Sequence, residues 1–304
     1  MLEIMTIGDF MALHPTQREE IQKALKVRDR LDKWLDYTIN AKRPPMLQAE
    51  WKKCRFCDEA GAVHNEAGCW ALSEPRDNSD IHPSQVTKCI KKLWYDCAGF
   101  TQQAEEIIDP RTQRTFDLGH AWHHTVQGYG RRGAWSDPSD YRDEVPFDPD
   151  MVTERGDPKF PVAKQFLLHG SVDAIISRYI IPQVPMLGDV MVRMVHEYKT
   201  INSNGFQNLK KPKPEHKWQA MIYAAVFDIP LVVFLYLNKD TSAQIDYPIS
   251  FDPILWGQIQ QKIEIVKYYL QVEQMPPWDI TSAVRDPAEC KQCGYVKICR
   301  PDRR

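Results

Sequence analysis

The stretch VRMVHEYKTIN, residues 192–202, sets Glu197 and Lys199 two apart inside an apolar run. Such a run predicts a strand, and positions two apart on a strand share a face. An acid and a base would therefore project together from a segment otherwise suited to burial. A cross-strand ion pair on a solvated face would account for them. A second acid shifts the balance. HGSVDAII, residues 169–176, is also strand-like and carries Asp173, and the turn-rich IPQVPMLG separates the two runs. A hairpin would bring Asp173 beside Glu197. Carboxylates on neighbouring apolar strands repel, and each is costly to desolvate. One lysine cannot neutralise both. A divalent cation could, and oxygen ligands suit Mg²⁺ or Mn²⁺.

The elements that would position these groups follow from periodicity. RTFDLGHAWHHTVQGYG predicts a helix before the Asp173 strand. PEHKWQAMIYAAVF predicts a helix after the Lys199 strand. LVVFLYLNK and AQIDYPIS read as strands, and PILWGQIQQKIEIVKYYLQVEQ as a long amphipathic helix. The expected organisation is a helical N-terminal segment over 1–50, a small cysteine-rich module over 51–72 and one α/β domain over 80–304. There is no internal repeat and no low-complexity segment.

The order Asp173, Glu197, Lys199 resembles the PD-(D/E)XK nuclease superfamily, and its flanks resemble the RecB-like branch. That branch carries a helical G-x-x-x-H before the Asp, matched here by Gly119 and His123 in GHAWH. His120 and His124 lie close by, and the family spacing selects His123. It also carries Q-x-x-x-Y on a helix after the Lys, matched by Gln219 and Tyr223 in QAMIY. The resemblance spans roughly residues 80–300. It implies a restriction-endonuclease-like core, a mixed central sheet flanked by helices, with Asp173 and Glu197 holding the catalytic Mg²⁺ or Mn²⁺. His123 and the Tyr198 carbonyl would be further ligands. Lys199 would orient and help deprotonate the attacking water, and Gln219 and Tyr223 would support Lys199 and the DNA backbone.

The chain has eight cysteines and no basic segment leading into an apolar one at its start, so metal or catalytic sites are expected rather than disulfides. CKQCGYVKIC supplies Cys290, Cys293 and Cys299, one ligand short of a four-coordinate site. Cys89 in TKCIKKLWY could complete it. Four thiolates suit an iron–sulfur cluster and also structural zinc. A subset of RecB-like nucleases has one cysteine before the core and three after it around a 4Fe-4S cluster, and the resemblance implies the same staple here. Cys97 is expected to be a buried core thiol. Cys54, Cys57, His64 and Cys69 form C-x2-C-x6-H-x4-C, a spacing suited to tetrahedral Zn²⁺.

Lys210, Lys211, Lys213 and Lys217 crowd the stretch between the Lys199 strand and the Gln219 helix, with Phe206 and Trp218 nearby. Lysines neutralise phosphates and aromatic rings stack on unpaired bases, so this stretch is a candidate DNA contact. Lys88, Lys91, Lys92, Arg131 and Arg132 are weaker candidates. The formal net charge of −2 argues against a globally polycationic binder, and the apolar run FDIPLVVFLYL is too short and too interrupted to span a membrane. No phosphate loop of a helicase motor is present. The expectation is a cytoplasmic, metal-dependent deoxyribonuclease of phage or bacterial recombination, replication or repair, cutting single-stranded DNA from its ends. A helicase, recombinase or single-strand-binding protein is a candidate partner. A catalytically inactive DNA-binding scaffold and a CRISPR spacer-acquisition nuclease are the alternatives.

Overall fold

The computed structural model describes residues 4–25, 80–100, 110–131, 140–277, 290 and 293–299. Over these residues the protein is a mixed α/β fold, a central mixed sheet with helices on both faces. The elements are β1 (Ile4–Met5), α1 (Ile7–Ala12), α2 (Pro15–Ala24), α3 (Pro83–Val86), α4 (Ile90–Cys97), α5 (Pro110–Tyr129), β2 (Tyr141–Phe147), α6 (Pro161–Phe166), β3 (Gly170–Val184), β4 (Gly188–Ile201), α7 (Ser203–Gln207), α8 (Pro214–Phe227), β5 (Leu231–Asn238), β6 (Gln244–Ser250), α9 (Pro253–Gln271) and α10 (Val296–Cys299). The sheet runs β2-β3-β4-β5-β6, with β1 paired beside the start of β4. β4 pairs in parallel with β5 and with β1, and the other neighbours are antiparallel.

β5 is buried at every position. That is the pattern of a strand covered on both faces, and it explains the unbroken apolar run LVVFLYL. β4, like β5, sends alternate side chains to the two layers. Val195 packs in the core layer beneath α3, α4, α6, α8 and α9, whereas Val192, Met194 and Tyr198 pack in the layer beneath α1, α2 and α5. Glu197 and Lys199 share the parity of Val195 and face the first layer.

The hairpin expected between the Asp173 and Glu197 strands is present, turning at residues 185–187. Helices α5, α8 and α9 and strands β5 and β6 fall where periodicity puts them. Residues 4–25 are not a separate body: β1 extends the sheet, and Phe10, Ile21 and Leu25 enter the second layer beside Ile176 and Met194. The zinc module, with Cys54, Cys57, His64 and Cys69, lies outside the described residues, as does Arg132. No helix among the described residues is long and apolar enough to cross a membrane.

Candidate active site

The site forms where β3 and β4 part. Their register, Ala174↔His196, Ile175↔Val195, Ile176↔Met194, would next pair Asp173 with Glu197. The ladder stops there. The Tyr198 amide donates to Asp173 Oδ2 at 2.7 Å rather than to a backbone carbonyl, and the Asp173 amide faces Glu197 Oε2 at 3.5 Å. Side chains thus replace backbone partners, and the two acids end side by side at an opening in the sheet.

Helices from the two faces meet at this opening. From α8, Gln219 donates to Glu197 Oε1 at 3.1 Å, and Lys199 Nζ reaches the same oxygen at 2.8 Å. Tyr223, four residues on and one turn along, stands 2.6 Å from Gln219 Nε2 and packs edge-on to Phe147. The pair therefore braces Glu197, and it meets Lys199 through that shared oxygen. From α5, His123 Nδ1 lies 3.2 Å from Asp173 Oδ1. Gly119, one turn earlier, lets the helix come close: a Cβ there would sit 3.2 Å from Thr200 Oγ1 on β4. Gln127, four residues after His123, is buried and donates to Glu144 Oε1 at 2.6 Å and to the Asp173 carbonyl at 3.3 Å. Neither Gln127 nor Glu144 stood out in the sequence. The signal available was the spacing of His123 and Gln127 on one helix face.

Side-chain exposure rises from 5% at Glu197 and 13% at Asp173 to 22% at Lys199 and 27% at His123. The site therefore opens on the Lys199 and His123 side. Its electrostatics follow from burial against pairing. Burial, then the Asp173 charge, push the Glu197 carboxyl up. Burial also disfavours the Asp173 carboxylate, but His123, Lys199 and the Tyr198 amide outweigh it and hold Asp173 below the usual range. Burial disfavours the charged Lys199, yet Glu197 and Asp173 outweigh it and hold the ammonium protonated. His123 is likewise raised, its desolvation overcome by Asp173 and Glu197.

Two carboxylates and an imidazole form a donor set that fits a hard divalent cation such as Mg²⁺ or Mn²⁺. In the structure these groups meet in pairs, each oxygen drawn to a protein donor. A tighter gathering lies elsewhere. Asp80, Asp148 and His169 each bring one ligand atom within 4.8 Å of the others, the group of this kind among the described residues, and could hold a metal. The bridge Ile81↔Leu168 and the pair Phe147↔Gly170 position them. His169 precedes Asp173 by four residues, roughly 13 Å along an extended strand.

None of the described cysteines, Cys89, Cys97, Cys290, Cys293 and Cys299, is in a disulfide. Cys89 is the N-cap of α4. Cys293 and Cys299 pack against the first core layer, and they add to burial in pushing up the hydroxyl of Tyr95 on α4. The C-terminal cysteine segment thus lies against the helix that Cys89 caps. Cys97 is half-buried rather than fully buried. Burial, then Asp96 and Asp80, push its thiol up to about 12, so it stays protonated. Lys210, Lys211 and Lys213 are exposed, and Lys217 is half-buried. Trp218 is half-buried: it packs on the core, with the Lys262 ammonium 5.3 Å from its ring centre.

No family model and no curated protein matches the sequence. Among solved structures the chain is similar to one described as SSO0001, with a TM-score of 0.41 and 18% identity over 76% of this chain and 90% of that one. It is also similar to the alkaline exonuclease LHK-Exo from Laribacter hongkongensis, with a TM-score of 0.37 and 15% identity over 65% of this chain and 90% of that one. The same exonuclease in complex with dAMP gives a TM-score of 0.39 at 15% identity and the same coverage. At these scores the likeness carries no weight by itself, and the chemistry rests on the site's own geometry.

Proposed function

We propose that this chain is a divalent-cation-dependent nuclease of the PD-(D/E)XK type that hydrolyses phosphodiester bonds in DNA, acting on single strands from a free end. One observation carries the reading. Asp173, Glu197, Lys199 and His123 share a single site at a break in the sheet, partly open to solvent and braced by Gln219. A structural ion pair would need Glu197 and Lys199 alone. It would not need a second acid whose carboxylate replaces the backbone partner of Tyr198.

In this reading Asp173 and Glu197 hold the cation, with His123 and the Tyr198 carbonyl as further ligands. The ion, when bound, lowers the pKa of a water and stabilises charge on the phosphate. Gln219 fixes the Glu197 oxygen on which Lys199 also rests. Lys199, held protonated by its two acids, orients the attacking water and donates to the developing negative charge. The exposed Lys210, Lys211 and Lys213 lead into α8 and would take backbone phosphates, with Lys217 beside them. Cys89, Cys290, Cys293 and Cys299 would hold a 4Fe-4S cluster that ties the C-terminal segment to α4. Cys54, Cys57, His64 and Cys69 would hold Zn²⁺.

The test compares anaerobically purified protein with Glu197→Gln, a variant that keeps an acceptor for Gln219. Each is incubated with Mn²⁺ and with linear or circular single-stranded DNA. Loss of linear DNA alone, abolished in the variant, is the expected result. Cutting of the circle would make the enzyme an endonuclease. No cutting of either substrate would leave a DNA-binding scaffold.

A further inference from the structure

Glu144 sits in the middle of β2 with φ +46°. Residues with a Cβ avoid this region, at a cost of roughly 1–2 kcal/mol, and they keep it where the surroundings impose it. Its consequence is visible in the core. Tyr141 and Phe147, six apart, would share a face in a regular strand. Instead Tyr141 packs in the second layer and Phe147 in the first. On β3, Val172 and Ala174, two apart, also fall in opposite layers. The pairs Asp143↔Ala174 and Val145↔Val172 set Glu144 directly opposite Asp173. Both strands therefore change face at the same point, and that point is the candidate site.

β2 and β4 flank β3 on opposite sides. Three acids, Glu144, Asp173 and Glu197, thus stand abreast across three strands. Lys199 answers Glu197 and His123 answers Asp173. The neighbouring Arg131 is engaged with Asp143. Glu144 is held by a neutral donor, the Gln127 amide, on Oε1, while Oε2 makes a long 3.5 Å contact with Ser171 Oγ. An amide fixes the carboxylate's direction without neutralising it, and the positive group that bears on it, His123, already answers Asp173. A half-buried, unbalanced carboxylate is costly unless a cation shares it.

Resting on the metal-dependent reading above, we propose that Glu144 is a further residue of the cation site. Its Oε2 would approach the divalent ion held by Asp173, or a water bound to that ion, from the β2 side. The strained backbone of β2 exists to aim that oxygen, and Gln127 holds the aim.

Glu144→Gln tests this, because it keeps size and the acceptor for Gln127 and removes the charge. Mn²⁺ binding is measured without DNA by the loss of the free-ion paramagnetic resonance signal, on full-length protein whose metal-free melting temperature is checked. Asp173→Asn is the control. The expected result is an affinity loss of roughly 10- to 100-fold in Glu144→Gln, with metal-free melting unchanged or raised, because a costly half-buried charge is removed. Wild-type affinity in Glu144→Gln, with affinity lost in Asp173→Asn, would reduce Glu144 to an anchor for α5 and leave the proposed function standing. Wild-type affinity in both variants would overturn the metal site itself.

Discussion

His216, a half-buried residue of α8 outside the acid cluster, carries a pH signature at the residue scale. Its ring stacks on Phe234 at 5.4 Å, and Nδ1 meets the Tyr236 hydroxyl. Burial first, then Lys199 and Lys213, lower its pKa from 6.5 to about 3. The sign follows directly. Below pH 6.5 the unfolded chain takes up a proton that the folded chain refuses, so stability falls as the pH falls toward 3. Between pH 7 and 5 this one residue should cost on the order of 2 kcal/mol. Urea unfolding of the wild type and of His216→Gln at both pH values checks it. The variant should lose less stability over the interval by about that amount. An equal loss would mean that the ring is solvated enough to protonate in the folded state. His216 also shows what a sequence leaves unsaid: nothing in PEHKWQ distinguishes it from a solvated histidine, because its neutrality comes from β5 packed against it.

At the scale of elements, the helices that hold the site were legible and the strand that bends it was not. G-x-x-x-H and Q-x-x-x-Y are helix-face spacings, and α5 and α8 keep them: His123 meets Asp173 and Gln219 meets Glu197. β2, by contrast, reads YRDEVPF, charged and interrupted by Pro146, and its alternation reverses at Glu144. A period-2 pattern cannot be seen in a strand that changes face midway, so Glu144 stayed hidden with it. α3, α4 and α6 are short, the longest of them 8 residues, too few turns to establish a period. The close approach of α5 to β4 gives a prediction at this scale. In Gly119→Val the added side chain meets Thr200 and pushes the helix outward. Overpacking of this kind costs typically 1–3 kcal/mol, and here it also carries His123 away from Asp173. The variant should melt lower and bind Mn²⁺ more weakly, whereas adding Thr200→Ala, which removes the Oγ1 that the new side chain meets, should recover part of both. Weaker Mn²⁺ binding without a fall in melting temperature would contradict the steric account.

At the scale of the whole molecule, the question is what joins the two ends of the α/β unit. Tyr295 lies against α4: its ring stacks on Tyr95 at 4.9 Å and 21°, and its hydroxyl donates to Asp96 at 2.7 Å with the Phe100 carbonyl at 3.0 Å. The Lys92 ammonium lies 5.5 Å from the same ring. The family resemblance implied that the C-terminal segment would return to the region of Cys89, and Tyr295 of that segment lies against the helix that Cys89 caps. The tyrosine stack that accompanies the return could not be foretold, because Tyr95 and Tyr295 look like any two core aromatics until the fold apposes them. The stack and the cysteines make separable contributions. Tyr295→Phe keeps the ring and leaves Asp96 without its hydroxyl donor, a loss of roughly 1–3 kcal/mol. Cys293→Ser leaves the stack intact and removes one thiolate. If a 4Fe-4S cluster joins the segments, wild-type protein prepared without oxygen should be coloured and contain about four irons per chain. Cys293→Ser should lose both the iron and the colour and melt lower. Tyr295→Phe should melt lower while keeping the iron. Zinc in place of iron would make the site a structural metal centre with the same mechanical role. A Cys293→Ser protein that melts like the wild type, with neither metal present in either, would leave the Tyr295 stack, its hydrogen bonds and the packing of the segment on the core as the tie among the described residues.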